Sequence, residues 1–271
     1  RFMRLAVILA GVALLLPAQS TNGRPRLVSV SPNFGTGYTQ AFQFVWSDPD
    51  GADDLAQLQI IFTSKYNDTT GPSCYLGVAV ASQALTIHDE KRWSSPSSVG
   101  SLDVLETDNC KVDPSTASLL KTGNEVRLNL KIQFKPTLLG ARYIQTRAWD
   151  RTLSLPSTDA RKKNGYDNSV AGIWTVGKDT GKGPLCQALF SPTQDVVGAE
   201  ESSGYVEVVA PPNCRWSADA LAPWIRLKEP HTHVGPARLE FSTVANPSPN
   251  PRIGTIKAGM NTASVQQAGQ P

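Results

Sequence analysis

The sequence lacks an excess of charge of either sign: 26 Lys and Arg stand against 23 Asp and Glu in 271 residues. Nucleic-acid recognition draws on Lys and Arg gathered on one face, so a near-neutral chain argues against it. The only dense basic run, Arg161-Lys162-Lys163, reads as a solvated loop. The four cysteines never stand in C-x-x-C spacing, which argues against a redox dithiol or a zinc knuckle. No G-x-S-x-G elbow and no H-E-x-x-H pair occurs, and Gly35-Thr36-Gly37 opens no helix. Adjacent acids such as Asp89-Glu90 and Glu200-Glu201 point to opposite faces of an extended chain, so neither makes a glycosidase pair. The expectation is a protein that is not an enzyme.

Long apolar runs are also missing after the first one. Arg4 precedes Leu5 to Leu16, and Pro17-Ala18-Gln19-Ser20 supplies small residues before Thr21. That is the pattern of a signal peptide over residues 1–20, cleaved after Ser20, because the run is shorter than the roughly 20 residues a bilayer span needs. The mature chain is therefore expected to be secreted or extracytoplasmic, with no transmembrane segment. The sequence opens at Arg1, so either Met3 is the start or the chain is a piece of a longer one.

An even cysteine count in an exported chain reads as disulfides. Sequential pairing, Cys74 with Cys110 and Cys186 with Cys214, keeps each bridge within one domain. The domains are divided by residues 177–184, Gly177-Lys178-Asp179-Thr180-Gly181-Lys182-Gly183-Pro184, which are rich in glycine and charge and have no apolar period.

Between Glu125 and Lys135, Val126, Leu128, Leu130, Ile132 and Phe134 alternate with polar residues. Such period-two alternation makes a strand with one wet face. Shorter runs of the same kind lie at 42–46, 58–62, 74–80 and 143–149, then at 204–209, 238–242 and 254–258. Helical spacing shows only briefly, from Pro114 to Leu120. The reading is all-β: two antiparallel β-sandwich domains of immunoglobulin-like type, at 24–176 and 185–269, after the signal peptide.

Within the second of these, Cys186, Cys214-Arg215-Trp216, Trp224-Ile225, Arg252-Ile253-Gly254-Thr255-Ile256 and Val265-Gln266-Gln267-Ala268-Gly269 follow one another in a single short domain. This series resembles the BACON family of bacterial extracellular β-sandwich modules. The resemblance implies carbohydrate contact or a spacer role between catalytic modules. The Pro-rich loop from Asn246 to Pro251 departs from the shorter, more polar loop typical of that family. In the first domain, Leu27 to Gly37, the turn Ser47-Asp48-Pro49-Asp50-Gly51 and Ala148-Trp149-Asp150 resemble immunoglobulin-like modules of bacterial surface proteins.

A sugar platform would need exposed aromatic faces, and Trp93, Trp224, Tyr75 and Tyr166 are the ligand-binding candidates, with Trp93 first because its surroundings are polar. Trp46, Trp149, Trp174 and Trp216 fall in strand patterns and are expected in the core. For metal, Asp48, Asp50, Asp53 and Asp54 crowd one turn and suggest calcium, with Asp48, Asp50 and Asp53 as the candidate ligands, although Asp-Pro-Asp-Gly is also an ordinary turn. His231 and His233 have strand spacing for zinc but lack a third ligand nearby. No cofactor is otherwise expected. The functional expectation is non-catalytic binding or adhesion, with polysaccharide, glycan or cell-surface protein partners. The alternative is a structural spacer or an accessory-module fragment of a larger secreted glycoside hydrolase or other hydrolase.

Overall fold

The computed structural model describes residues 23–65, 68–151, 166–191 and 193–270. The signal-peptide reading and the basic run at 161–163 lie outside these residues. The protein is an all-β sandwich fold, with strands pairing into one set of sheets before residue 177 and another after 188.

In the first sandwich, the strand Glu125–Phe134 sits beside Thr39–Ser47 in register, with Leu128 opposite Phe44 and Ile132 opposite Gln40. Its alternating apolar residues, Val126 to Phe134, are buried against the inner face of the second sheet. That second sheet runs in the order Phe34–Thr36, Tyr166–Val176, Gly140–Asp150, Leu55–Lys65, Asp68–Ala79, Ala84–His88, Ser97–Ser98. Leu58, Ile60 and Phe62, then Cys74, Leu76 and Val78, point inward. The pleat sends Gln57, Gln59, Tyr75 and Gly77 to the outer face. Among the described residues, pairing is antiparallel except at two short edge strands, Phe34–Thr36 and Gln194–Val197, which are parallel to their neighbours.

The helical spacing from Pro114 to Leu120 yields only one 3-10 turn, Pro114–Thr116, started by proline and by the Asp113 side chain accepting from the Ser115 amide. Ser118–Thr122 then continues as a strand on Glu125–Phe134. Gly123, with φ of 56°, makes the reversal, and ladder hydrogen bonds replace those a helix would have supplied. Gly172 has a different reason to be glycine: a Cβ there would stand 1.8 Å from the Asn33 carbonyl oxygen, which accepts from the Ile173 amide.

Both disulfides follow the sequential pairing. Cys74–Cys110 joins the two sheets of the first sandwich, with Cα atoms 5.6 Å apart, and Cys186–Cys214 lies within the C-terminal part, at 5.0 Å.

The second sandwich places Ser202–Val209 and Ala237–Thr243 against Arg252–Ala258 and Asn261–Gln267, with Phe190, Phe241, Val206, Ile256 and Val265 buried between them. The sequence landmarks of this region turn out to form one clamp. Arg252 donates from Nε to Gln267 Oε1 at 2.8 Å and from Nη2 to the Val244 carbonyl at 2.7 Å, and its guanidinium lies 4.4 Å from the Trp224 ring centroid. The fully buried Gln267 amide in turn donates to the carbonyls of Ala199, Glu200 and Val244. These bonds give polar groups between loops the partners that burial demands.

Residues 177–188 carry no strand, and Gly181 and Gly183 both have φ of 70°. Val170 and Ile173, before this segment, and Leu189, after it, are buried in one cluster, with Phe34, Tyr143 and Val209 packed against it. The Tyr143 hydroxyl donates to Gln187 Oε1 at 3.1 Å. Among the described residues no helix is long and apolar enough to cross a membrane. Two disulfides and that finding are compatible with an extracytoplasmic protein.

Candidate functional site

The strands Asp68–Ala79 and Ala84–His88 pair Tyr75 with His88, Gly77 with Thr86 and Ala79 with Ala84. On the outer face these rows give an aromatic step beside a floor of small residues. A turn then brings Trp93 back over the floor. Asp89 Oδ1 accepts from the amides of Lys91 and Arg92 at 3.0 and 2.8 Å, and these bonds hold its carboxyl below the usual carboxylate range. Glu90 adopts a φ of 73°, a strained conformation for a side chain of this kind, and Asn109 Nδ2 donates to its carboxylate at 2.8 Å. Ser94 closes the turn by donating its amide to the Ile87 carbonyl and accepting from the Ile87 amide.

The result joins two of the sequence candidates. The rings of Tyr75 and Trp93 meet edge to face with centroids 4.8 Å apart, and His88 lies 5.0 Å from Trp93. Trp93 remains 38% exposed. Gly77 makes the approach feasible, because a Cβ there would come 3.1 Å from the indole and 2.6 Å from Thr86 Oγ1. Beside the indole runs a groove of about 520 Å³, lined by Gln57, Ala79, Ala84, Thr86, Trp93 and Ser98.

Behind it, the Tyr75 hydroxyl donates to Gln59 Oε1. Burial pushes the Tyr75 phenol up from its usual pKa, partly opposed by the nearby Arg147. Arg147 pairs across the sheet with Gln59, and its buried Nε has no hydrogen-bond acceptor. The groove thus presents an apolar ring, a floor without bulk, and amide and hydroxyl groups. Such a combination stacks on the apolar face of a pyranose and bonds its hydroxyls.

The other aromatic candidates are placed differently. Trp224 is half-buried, with Arg252 on its ring and its edge against Gly254, where a Cβ would lie 2.7 Å away. The Tyr166 backbone pairs with Trp149, and its side chain lies outside the described residues. Trp46, Trp174 and Trp216 are buried as expected. Trp149 corrects the core expectation: it is half-buried, because strand parity sends Ala148 into the core and Trp149 to the outer face, opposite Gln57. Gln57, Gln59, Thr86, Ser98 and Arg147 escaped sequence reading. Each is an unremarkable polar residue until strand register brings it beside an aromatic.

The acidic turn also rearranges. Asp53 is exposed, and its pairing with Lys121 Nζ at 3.0 Å lowers its pKa. Asp50 is exposed and accepts from the Gly23 amide. Asp48 instead converges with Asp54 and Asp150, with one carboxylate oxygen from each lying within 4.8 Å of the others. Asp48 is fully buried and Asp54 partly open. Burial, followed by repulsion from Asp54 and Asp150, raises the Asp48 pKa to about 6, against a hydrogen bond from the Asp50 amide. The two zinc candidates serve separate ends: His233 stacks on Trp216 at 4.6 Å, whereas His231 Nε2 lies 3.5 Å from Glu229. Among the described residues neither belongs to a group able to hold a metal.

Fold and site together describe an all-β sandwich protein with two disulfides and an aromatic-sided surface groove. No protein-family model matches the chain, and no curated protein matches it in sequence. Among solved structures it is similar to a Bacteroides ovatus GH5 xyloglucanase in complex with a XXXG heptasaccharide, at 13% identity over 31% of this chain, with a TM-score of 0.28. The chain spans 19% of the length of that enzyme. It is also similar to a marsupial T cell receptor, at 9% identity over 92% of this chain and 74% of the other, with a TM-score of 0.26. At these scores neither likeness bears on what the chain binds.

Proposed function

We propose that this is a secreted or cell-envelope binding protein without catalytic activity, which takes a carbohydrate chain in the groove beside Trp93. The single observation that carries the reading is the meeting of Trp93 and Tyr75 over a glycine, beside a groove edged by Gln57, Thr86 and Ser98. An exposed indole is costly to leave in water, and stacking on a sugar ring covers it while the neighbouring polar groups keep their bonds. A shallow, open groove suits a segment of polysaccharide better than an enclosed small molecule.

The second sandwich, which resembles a BACON module, is assigned the role of a spacer. The guanidinium of Arg252 on the Trp224 ring favours this role, since it occupies a face that a sugar would need.

The test is affinity electrophoresis of residues 21–271 through gels containing soluble plant, fungal and bacterial polysaccharides, beside Trp93→Ala and Trp224→Ala. At least one polysaccharide is expected to retard the protein. Trp93→Ala should weaken that retention by about tenfold or more, equivalent to about 1.4 kcal/mol, while keeping its far-ultraviolet circular dichroism and melting temperature. Trp224→Ala should retain the polysaccharide when folded. Absence of retention across the panel, or loss confined to folded Trp224→Ala, contradicts the reading.

A further inference from the structure

We propose that Asp48, Asp54 and Asp150 form a calcium site at the end of the first sandwich, independent of the groove. Asp48 follows the strand Thr39–Ser47, Asp54 precedes Leu55–Lys65, and Asp150 ends Gly140–Asp150. The first of these strands belongs to one sheet and the other two to its partner, so the site lies where the sheets meet.

Main-chain bonds build the loop between them. The Gly51 amide donates to the Asp48 carbonyl, the Asp54 amide to the Gly51 carbonyl and the Arg151 amide to the Asp54 carbonyl, at 3.1, 3.0 and 2.8 Å. This fixed loop turns Asp53 out toward Lys121 and leaves Asp54 beside Asp48 and Asp150.

Convergence of acids alone is common on surfaces, and a separate observation points to a ligand here. Asp48 has no exposed surface, and its Oδ2 accepts no hydrogen bond. Its Oδ1 is already engaged by the Asp50 amide at 2.8 Å. A buried carboxylate oxygen without a donor is costly, and a bound cation removes that cost. The Asp48 pKa is raised first by this burial and further by the neighbouring Asp54 and Asp150 carboxylates.

The donor set selects the ion. All three side chains offer hard oxygen, and none offers nitrogen or sulfur. Oxygens bound to one calcium at 2.3–2.6 Å lie no more than about 5 Å apart, as these do within 4.8 Å. The partly open Asp54 leaves room for the water or carbonyl ligands that complete six to eight positions. Magnesium, which demands a tighter octahedron, fits less well.

Calorimetric titration of chelator-treated residues 21–271 with calcium chloride and with magnesium chloride tests the site, alongside thermal melts. The expected result is calcium binding with Kd in the range of about 0.1–1 mM usual for extracellular modules, and a melting temperature raised by calcium more than by magnesium. Asp54→Asn, chosen because its side chain is partly open, and Asp150→Asn should each weaken calcium binding about tenfold or more, while Asp53→Asn keeps it. Lack of heat and of any melting shift in the folded wild-type protein overturns the proposal. So does an equal response to magnesium, or loss of binding in Asp53→Asn with retention in Asp54→Asn. None of these outcomes bears on polysaccharide retention.

Discussion

Phe42→Ala is expected to destabilise the protein by about 3–5 kcal/mol, measured as a fall in the urea midpoint of the first sandwich with little change in slope. Phe42 is 2% exposed and stands at the centre of the aromatic core. Its ring lies 5.9, 5.2, 6.3 and 5.3 Å from those of Phe44, Phe62, Phe134 and Trp174. Truncation removes the transfer free energy of the ring and leaves a cavity whose walls come from both sheets, where hydrogen-bonded ladders resist collapse. Phe42→Leu should cost less than half as much, because most of the volume is kept. Equal losses for the two variants would mean that ring packing does not hold the sheets together.

Removal of the Cys74–Cys110 bridge, as the double variant Cys74→Ser with Cys110→Ser, should cost about 4 kcal/mol in the chain-entropy model for a loop closed over 36 residues. This loss should also reach the groove. Cys74 adjoins Tyr75, and Asn109, next to Cys110, donates to the Ser73 carbonyl at 3.1 Å and to Glu90 in the turn that carries Trp93. The bridge therefore holds both aromatics from behind. Chemical denaturation should show the stability loss, and affinity electrophoresis at a temperature where the variant is folded should show weaker retention. An unchanged denaturation midpoint would contradict the assigned role of the bridge.

Strands were legible in the sequence where one face is wet and the other dry. Glu125 to Lys135 alternates without interruption, and the observed strand ends one residue earlier. Disulfide pairing was legible because each pair falls within one span of strands. The groove was legible only through its aromatics, Trp93 and Tyr75. Its floor and polar edge depend on register, which places Gly77 opposite Thr86 and Gln57 opposite Ala79, and register is set by long-range pairing.

The acidic site shows the same limit. Proximity in sequence points to Asp48, Asp50, Asp53 and Asp54, whereas the hydrogen-bonded loop exposes Asp50 and Asp53 and brings Asp150 to the other two from a strand about a hundred residues away. The outward placement of Trp149 is hidden from the sequence for a related reason: alternation identifies a strand, but which parity faces inward is settled by the neighbouring strands.

The most direct test of the carbohydrate reading is nuclear magnetic resonance of the tryptophan indole N–H signals in residues 21–271, titrated with oligosaccharides cut from the polysaccharide that retards the protein. The account predicts a saturable shift of the Trp93 signal, identified by its absence from Trp93→Ala, while the signals of the buried Trp46, Trp174 and Trp216 stay in place. A Trp93 signal that stays fixed while the Trp224 signal moves would put the sugar on the other sandwich and contradict it.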